Sequence, residues 1–245
     1  MNRSFQLLLA AAVVVTGACQ KDSSPIKTTS SGEPNVSSPS DSMAARGHSL
    51  VRIVNAVSGG DVSVQIGQLP LFNDVKPGSV TDYREIANNL ADFTAHAAGS
   101  PENVVIAEQE RLLRDGNRYT VFLIPEDVSK RSLRVVRDDV IPDSGKARLR
   151  VMHAAPGAPE FDISVVGATE ALFSGLNFSK AADYKDLAPA VVTLEFRAKG
   201  APKVLLTVPR LDLKRGTSTT IVVTGAGKLA YFTFTDALMA PTPKS

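Results

Sequence analysis

The sequence contains few side chains that could carry out nucleophilic, acid–base or metal chemistry. Cys19 is the only cysteine, and the only histidines are His48, His96 and His153. No two histidines have the spacing of metal ligands, and one thiol cannot supply the Cys/His set of a zinc centre. We therefore expect no metal and no other cofactor.

His153 is the strongest candidate for a polar site, because it ends an apolar run just before a proline-bounded turn. Arg150 and Asp162 lie near it in sequence and complete the candidate set. The imidazole could act as a catalytic acid or base, or it could hydrogen-bond to the backbone of the turn and fix its shape. The structural role is favoured because Asn55 occupies the equivalent place in an earlier, similar stretch, and asparagine cannot act as a catalytic base.

Two other patterns resemble sites but lack the required spacing. Gly225-Ala226-Gly227-Lys228 has Val222 where a phosphate loop needs its first glycine, so it predicts a hairpin turn. The aspartates Asp138, Asp139 and Asp143 lack the regular spacing of a calcium loop and predict a solvated linker. No G-x-S-x-G nucleophile motif occurs. We expect no catalytic residues and no enzyme activity.

The charge distribution gives little information about partners. The formal net charge of +2 provides no electrostatic footprint for nucleic acid. One stretch is locally basic, and its members are Arg111, Arg114, Arg118, Arg131, Arg134 and Arg137. These arginines form either a solvated hairpin face or a surface that contacts anionic lipid or envelope polysaccharide.

Cys19 is the residue whose chemistry is best defined by its surroundings. A short basic start is followed by an apolar run from Phe5 to Val15, which has the length of a signal peptide and is too short to span a bilayer. Val15-Thr16-Gly17-Ala18-Cys19 then resembles the lipobox of bacterial lipoproteins, with Thr16 where leucine is usual. The resemblance implies cleavage after residue 18 and acylation of Cys19, with palmitate among the chains.

An ordinary secretory signal with a chance cysteine at the cut is the alternative. It is less favoured because a secreted protein gains little from one unpaired thiol. Several acyl chains on Cys19 would hold the protein stably on a membrane. Gln20, in place of the aspartate that retains lipoproteins at the inner membrane, favours the outer membrane, with its periplasmic or surface face left open.

The elements that follow must be strands. Residues 19–47 are rich in Ser, Thr and Pro, and we expect a flexible linker, although a polar loop packed on the domain is an alternative. From residue 48 onward, short apolar or alternating runs are broken by Gly, Pro, Asp and Asn, which is typical of an all-β fold. Asp115-Gly116-Asn117 predicts a tight turn that needs a positive φ at Gly116.

The order of features repeats after about 100 residues, which indicates tandem domains. Arg52, Leu71-Phe72, Asp82-Tyr83 and Asp138 recur as Arg150, Leu172-Phe173, Asp183-Tyr184 and Asp236. We expect two tandem β-sandwich (immunoglobulin-like) domains at residues 48–139 and 146–237, and a flexible tail at 238–245. The aromatic core residues should be Phe72, Phe93, Phe122, Phe161, Phe173, Phe196 and Phe232.

The start of the second repeat carries a family motif. The run from Arg150 to Gly167, RVMHAAPGAPEFDISVVG, resembles the opening of the domain of unknown function 4397 family. The later Leu176-Asn177-Phe178 and Asp183-Tyr184 also fit that family. The first repeat is a diverged copy, with Asn55 in place of the histidine. The resemblance implies a β-sandwich-like envelope domain, often in tandem, with no established activity.

Together these features favour a non-enzymatic binding or structural module of the cell envelope, presented on a tether. Its partners would be the membrane, through the lipid anchor, and an envelope protein or polysaccharide, but not nucleic acid. Two alternatives remain. One is an enzyme that acts on an envelope polymer through a polar site in the second repeat, and the other is a scaffold for a larger complex.

Overall fold

The computed structural model describes residues 47–87, 90–101, 104–127, 129–138 and 145–236, and it is all-β as expected. The first eight strands are β1 His48–Asn55, β2 Val62–Ile66, β3 Leu69–Val75, β4 Arg84–Ala87, β5 Leu90–Ala97, β6 Val105–Leu112, β7 Arg118–Pro125 and β8 Arg131–Asp138. The second eight are β9 Ala147–His153, β10 Phe161–Val165, β11 Phe173–Leu176, β12 Lys185–Leu187, β13 Ala190–Ala198, β14 Val204–Leu213, β15 Ser218–Thr224 and β16 Ala230–Asp236.

Strands β1–β8 form the first sandwich from two four-stranded sheets. One sheet has the order β4-β1-β7-β8 and the other β3-β2-β5-β6. Most neighbouring strands are antiparallel, but β1 and β7 pair in parallel. Alternate side chains such as Val64, Phe93 and Val121 face inward between the sheets and form its core.

Strands β9–β16 form the second sandwich and repeat this arrangement strand for strand. The sheets have the orders β12-β9-β15-β16 and β11-β10-β13-β14, and β9 pairs in parallel with β15. Phe161, Ile163 and Phe196 lie in its core. The expected alternation of β10 is seen, since Phe161 and Ile163 are fully buried and Asp162 is not.

A third apolar cluster joins the two sandwiches. Val54 and Phe122 of the first sandwich pack with Met152 and Val222 of the second. The sheets that contain β1 and β9 are therefore covered on both faces, which explains why β1, β7, β9 and β15 are buried along almost their whole length. All described residues fall within one compact unit.

The expected aromatic residues are buried except for the partly buried Phe232, but not all of them lie where a self-contained sandwich would place them. Phe72, Phe93, Phe161, Phe173 and Phe196 lie in the two sandwich cores. Phe122 and the partly buried Phe232 instead pack in the cluster between the sandwiches. The sandwich-core position expected for Phe122 and Phe232 is therefore wrong. A strand that is buried on both faces has no solvent side, so its second set of side chains packs against the other sandwich.

The two expected turns are present. Gly116 has a φ of 69°, and residues 225–229 connect β15 to β16 as a hairpin loop. Within the described ranges, no helical segment has the length and hydrophobicity needed to cross a bilayer. The predicted signal peptide, Cys19, almost all of the linker and the tail lie outside the described residues, as do residues 139–144 between the repeats.

Candidate functional site

His153 ends β9 with its imidazole fully buried. Nδ1 accepts a hydrogen bond from the Ala155 N–H at 3.3 Å, and Nε2 lies 3.1 Å from the Pro159 carbonyl oxygen. Because a carbonyl only accepts, Nε2 carries the proton and the ring is neutral. Burial lowers the pKa of His153, and the Pro159 hydrogen bond only partly opposes this. Both ring nitrogens are therefore engaged by the turn, and the ring stacks on Phe161 at 4.3 Å.

Asn55 makes the corresponding contacts at the end of β1. Its Oδ1 accepts from the Val57 N–H at 3.0 Å, two residues along, as His153 Nδ1 does from Ala155. Its Nδ2 donates to the Val75 carbonyl at 2.9 Å and to the Gly60 carbonyl at 3.2 Å. An amide and a neutral imidazole thus present the same acceptor and donor to the two turns.

Asp162 lies on the outer face of β10 and holds two loops. Its Oδ1 accepts from the Gly175 N–H at 2.8 Å and its Oδ2 from the Gly200 N–H at 2.9 Å. The hydrogen bonds from Gly200 and Gly175 lower the pKa of the Asp162 carboxyl. The partners of Asp162 are thus Gly175 and Gly200 and those of His153 are Ala155 and Pro159, so the two side chains share no hydrogen-bond partner.

Arg150, the third candidate, points into the interface between the sandwiches. Its Nη2 lies 2.8 Å from Asp138 Oδ1, and both side chains are almost completely buried. The guanidinium carbon lies 4.4 Å from the centre of the Tyr184 ring. Asp138 also accepts from the Tyr83 hydroxyl at 2.8 Å and the Thr120 hydroxyl at 2.7 Å. The expectation that Asp138 belongs to a solvated linker is therefore wrong.

The same arrangement occurs with the roles of the sandwiches exchanged. Arg52 of β1 donates to both carboxylate oxygens of Asp236 in β16, at 2.6 and 2.8 Å, and its guanidinium carbon lies 4.4 Å from the Tyr83 ring centre. Each sandwich therefore gives its arginine to the aspartate of the other. We call these side chains the inter-sandwich network; its members are Arg52, Tyr83, Asp138, Arg150, Tyr184 and Asp236.

Burial sets the protonation states of this network. Desolvation raises the pKa of Tyr83, and the charge of Asp138 raises it further. Desolvation also raises the pKa of Tyr184, although Arg150 opposes the shift. Burial disfavours the charge of Arg52, but the Asp236 hydrogen bond and the electrostatic interactions with Tyr83, Asp138 and Asp236 together outweigh it, so the pKa of Arg52 is raised. The tyrosines thus stay neutral beside two charged pairs.

One feature of the sequence could have pointed to this network, namely the two buried arginines at equivalent positions of the two repeats. Arg52 and Arg150 occupy matching places inside apolar strands, and a buried charge needs a partner. Asp138 and Asp236 also match, but the sequence could not show that the partners are exchanged. Because each arginine is paired with an aspartate of the other sandwich, the network constrains how the two sandwiches pack.

Part of the basic stretch forms a concave surface. Two adjoining cavities of about 350 and 330 Å³ share Arg111 and Arg137 at the open edges of β6 and β8. The second sandwich contributes Ser179 and Lys180 to the first cavity. We call this surface the basic groove; its charged members are Arg111, Arg114, Arg134, Arg137 and Lys180. Of the other predicted arginines, Arg118 lies over the Tyr83 ring and Arg131 lines a different cavity.

Among the described residues, no group of three or more His, Cys, Asp or Glu side chains could hold a metal ion. The loop at Gly225 to Lys228 is the hairpin turn that its sequence predicted, since Thr224 and Ala230 pair on either side of it. The basic groove, with five cationic side chains along it, is a candidate for contact with an anionic molecule.

Comparison with protein families gives one match. Residues 49–164 match the model described as Domain of unknown function (DUF4397). The match supports the DUF4397 domain family. It begins in β1 and ends in β10, so the DUF4397 match covers the first sandwich and the start of the second, which contains the RVMHAAPGAP motif.

Two individual proteins show limited similarity. A serine–tRNA ligase of Methanoculleus marisnigri is 28% identical over 123 residues, which is 50% of this chain but only 28% of the ligase. Among solved structures, the family 26 carbohydrate-binding module CBMbc of Eubacterium rectale Amy13K, in complex with maltoheptaose, matches over 79% of this chain and 98% of its own at 13% identity. Its TM-score is 0.27, so the likeness carries no argument about function.

Proposed function

We propose that the protein is a non-enzymatic lipoprotein of the cell envelope, a binding or structural module held on a membrane by acyl chains on Cys19. The non-enzymatic part of the proposal rests on the hydrogen bonds and ion pairs that already engage the two strongest candidate side chains. His153 is neutral with both nitrogens bound to the turn backbone, and Arg150 is neutralised by Asp138 in a buried pair. A DUF4397 match, from a family of unknown function, is compatible with this role.

The inter-sandwich network and the apolar cluster support a rigid module rather than two independent domains. Breaking a buried ion pair leaves an uncompensated charge, so the two sandwiches resist sliding or separating. A rigid pair can present surfaces built from both sandwiches at a fixed spacing. The basic groove, to which both sandwiches contribute, is one such surface.

We also infer that the second sandwich is a second copy of the first domain. The identical strand orders and parallel pairings support this, as do the matching contacts of Asn55 and His153. The exchange of arginine–aspartate pairs is what a fused, pseudo-symmetric pair of copies would produce.

The proposal of a lipid anchor is based on the sequence around Cys19. Growth with an alkyne analogue of palmitate should label the full-length protein, and Cys19→Ser should abolish the label and release the protein from membranes. Density-gradient separation should place the labelled protein in the outer membrane. Label that persists in the Cys19→Ser variant would contradict acylation at this residue.

The non-enzymatic role is tested with the purified chain and isolated envelope polymers. We expect no turnover, and we expect specific capture of a polymer or protein from solubilised membranes by the acylated protein. Turnover that disappears in His153→Asn without loss of folding would instead establish an enzyme. Co-purification of a fixed set of protein partners under mild crosslinking would favour a scaffold.

A further inference from the structure

We propose that the basic groove binds an anionic polysaccharide of the envelope, through carboxylate groups spaced along one chain. This inference deepens the proposed function, on which it rests, by naming the class of ligand. It depends on the shape of the groove, its charge and its donor groups, each of which is set by described residues.

The shape of the groove follows from the open edge of the first sandwich. β6 and β8 are edge strands of the two sheets, and they lie next to each other. Arg111 in β6 pairs with the buried Ala91 of β5, and Arg137 in β8 pairs with the buried Tyr119 of β7. Both arginines therefore occupy core-facing register positions near the ends of their strands. The two arginines therefore reach the gap between the sheets, where both cavities meet.

The second sandwich completes the groove through a short loop. Met152 in β9 pairs with Ala181, and the backbone of His153 bonds with Ser179 at 2.9 Å and Lys180 at 3.0 Å. Ser179 has a φ of 64°, which turns the chain tightly at this point. This loop places Lys180 and the Ser179 hydroxyl beside Arg111 and Arg137.

The charge of the groove is predominantly positive. Arg134 forms an ion pair with Glu126 at 3.3 Å, with both side chains about one-third exposed. Arg111 and Arg114 are exposed, and no carboxylate lines either cavity among the described residues. Such a surface favours an anionic ligand.

The donor set favours carboxylates, and the concave shape favours a single chain over a bilayer. Arginine presents paired N–H groups that match the two oxygens of a carboxylate, and Gln109 and Ser179 add neutral donors for sugar hydroxyls. A lipid surface is broad and nearly flat, and cannot enter a gap between two strand edges. A linear polymer can follow the gap and contact successive cations.

The test uses the chain from residue 20, which lacks the acylated Cys19, with polygalacturonate as the anionic probe and neutral dextran of similar size as its control. We expect binding to polygalacturonate that weakens as salt rises, and none to dextran. Arg111→Gln with Arg114→Gln should weaken binding by about 5- to 30-fold, the effect of losing two exposed ion contacts. Lys180→Gln should weaken it less, yet measurably.

The matched control is Lys203→Gln with Lys228→Gln, which removes the same charge from exposed positions of the second sandwich. This pair should leave the affinity within about 2-fold of the unchanged chain, since distant charges are screened. Equal losses in both double variants would overturn the proposal by showing a net-charge effect. Binding to phosphatidylglycerol vesicles but not to polygalacturonate would also overturn it, in favour of lipid. Because these measurements do not use the anchor, their failure is distinguishable from a failure of palmitate labelling.

Discussion

Asp138→Asn is the substitution that most directly tests the inter-sandwich network. Asp138 has a fully buried side chain, forms an ion pair with Arg150 and accepts hydrogen bonds from Tyr83 and Thr120. An amide cannot replace the carboxylate toward all three partners, because its NH₂ group must face either the guanidinium or the two hydroxyls. The substitution also leaves the charge of Arg150 buried without a counter-ion.

We expect a loss of about 3–5 kcal/mol in the free energy of unfolding, the cost of removing one partner of a buried ion pair. For a unit of this size, each kcal/mol lowers Tm by about 2–4 °C, so the melting temperature should fall by about 6–20 °C. Asp236→Asn should cost less, because the Asp236 side chain is 15% exposed and water can solvate part of the Arg52 pair.

The assay is urea unfolding followed by far-ultraviolet circular dichroism and by tyrosine fluorescence. The chain has four tyrosines and no tryptophan, so Tyr83 and Tyr184 contribute much of the signal and report on the interface. Replacing the whole pair, Asp138→Leu with Arg150→Met, should recover only part of the loss, because it removes both buried charges but leaves the Tyr83 and Thr120 hydroxyls without their acceptor. A cost below about 1 kcal/mol for Asp138→Asn, or a larger cost for Asp236→Asn, would refute the reasoning.

Three further outcomes are expected. His153→Ala should lower the free energy of unfolding by about 2–4 kcal/mol. His153→Asn should lower it by at least about 1 kcal/mol less, because the amide can keep both hydrogen bonds to the turn. Equal shifts in melting temperature for the two variants would contradict this. The raised pKa values of Tyr83 and Tyr184 mean that the unfolded chain ionises first, so stability should be complete below pH ~10 and fall above it by about 1.4 kcal/mol per pH unit for each tyrosine. Absorbance at ~295 nm should show that these two tyrosines titrate only on unfolding, and early titration of all four would count against it. Gly225→Ala should destabilise far more than Gly227→Ala in urea unfolding, because only at Gly225 would the added Cβ collide with backbone; similar costs would show a more adaptable loop.

Several local features could be predicted from the sequence because they depend on neighbouring residues. Alternation identified strands such as β10, and glycine chemistry identified the turn at Gly116. The repeat was visible because two segments with the same order of strands have the same order of apolar and turn residues. The assignment of Cys19 to acylation also depends only on the residues before it, and it stays a prediction.

The contacts between the sandwiches depended on the tertiary structure. The partner of Arg150 is Asp138 of the other sandwich rather than Asp236 of its own, and both choices fit the same sequence pattern. Phe122 was recognised as buried, but apolar character does not show which surface covers a side chain. Arg111 and Lys180 are far apart in the chain and meet only because two sheet edges and a loop converge. Sequence by itself therefore determined the strands, the turns and the residue expected to carry the anchor, whereas packing of the two sandwiches decided which charges are neutralised and which face a ligand.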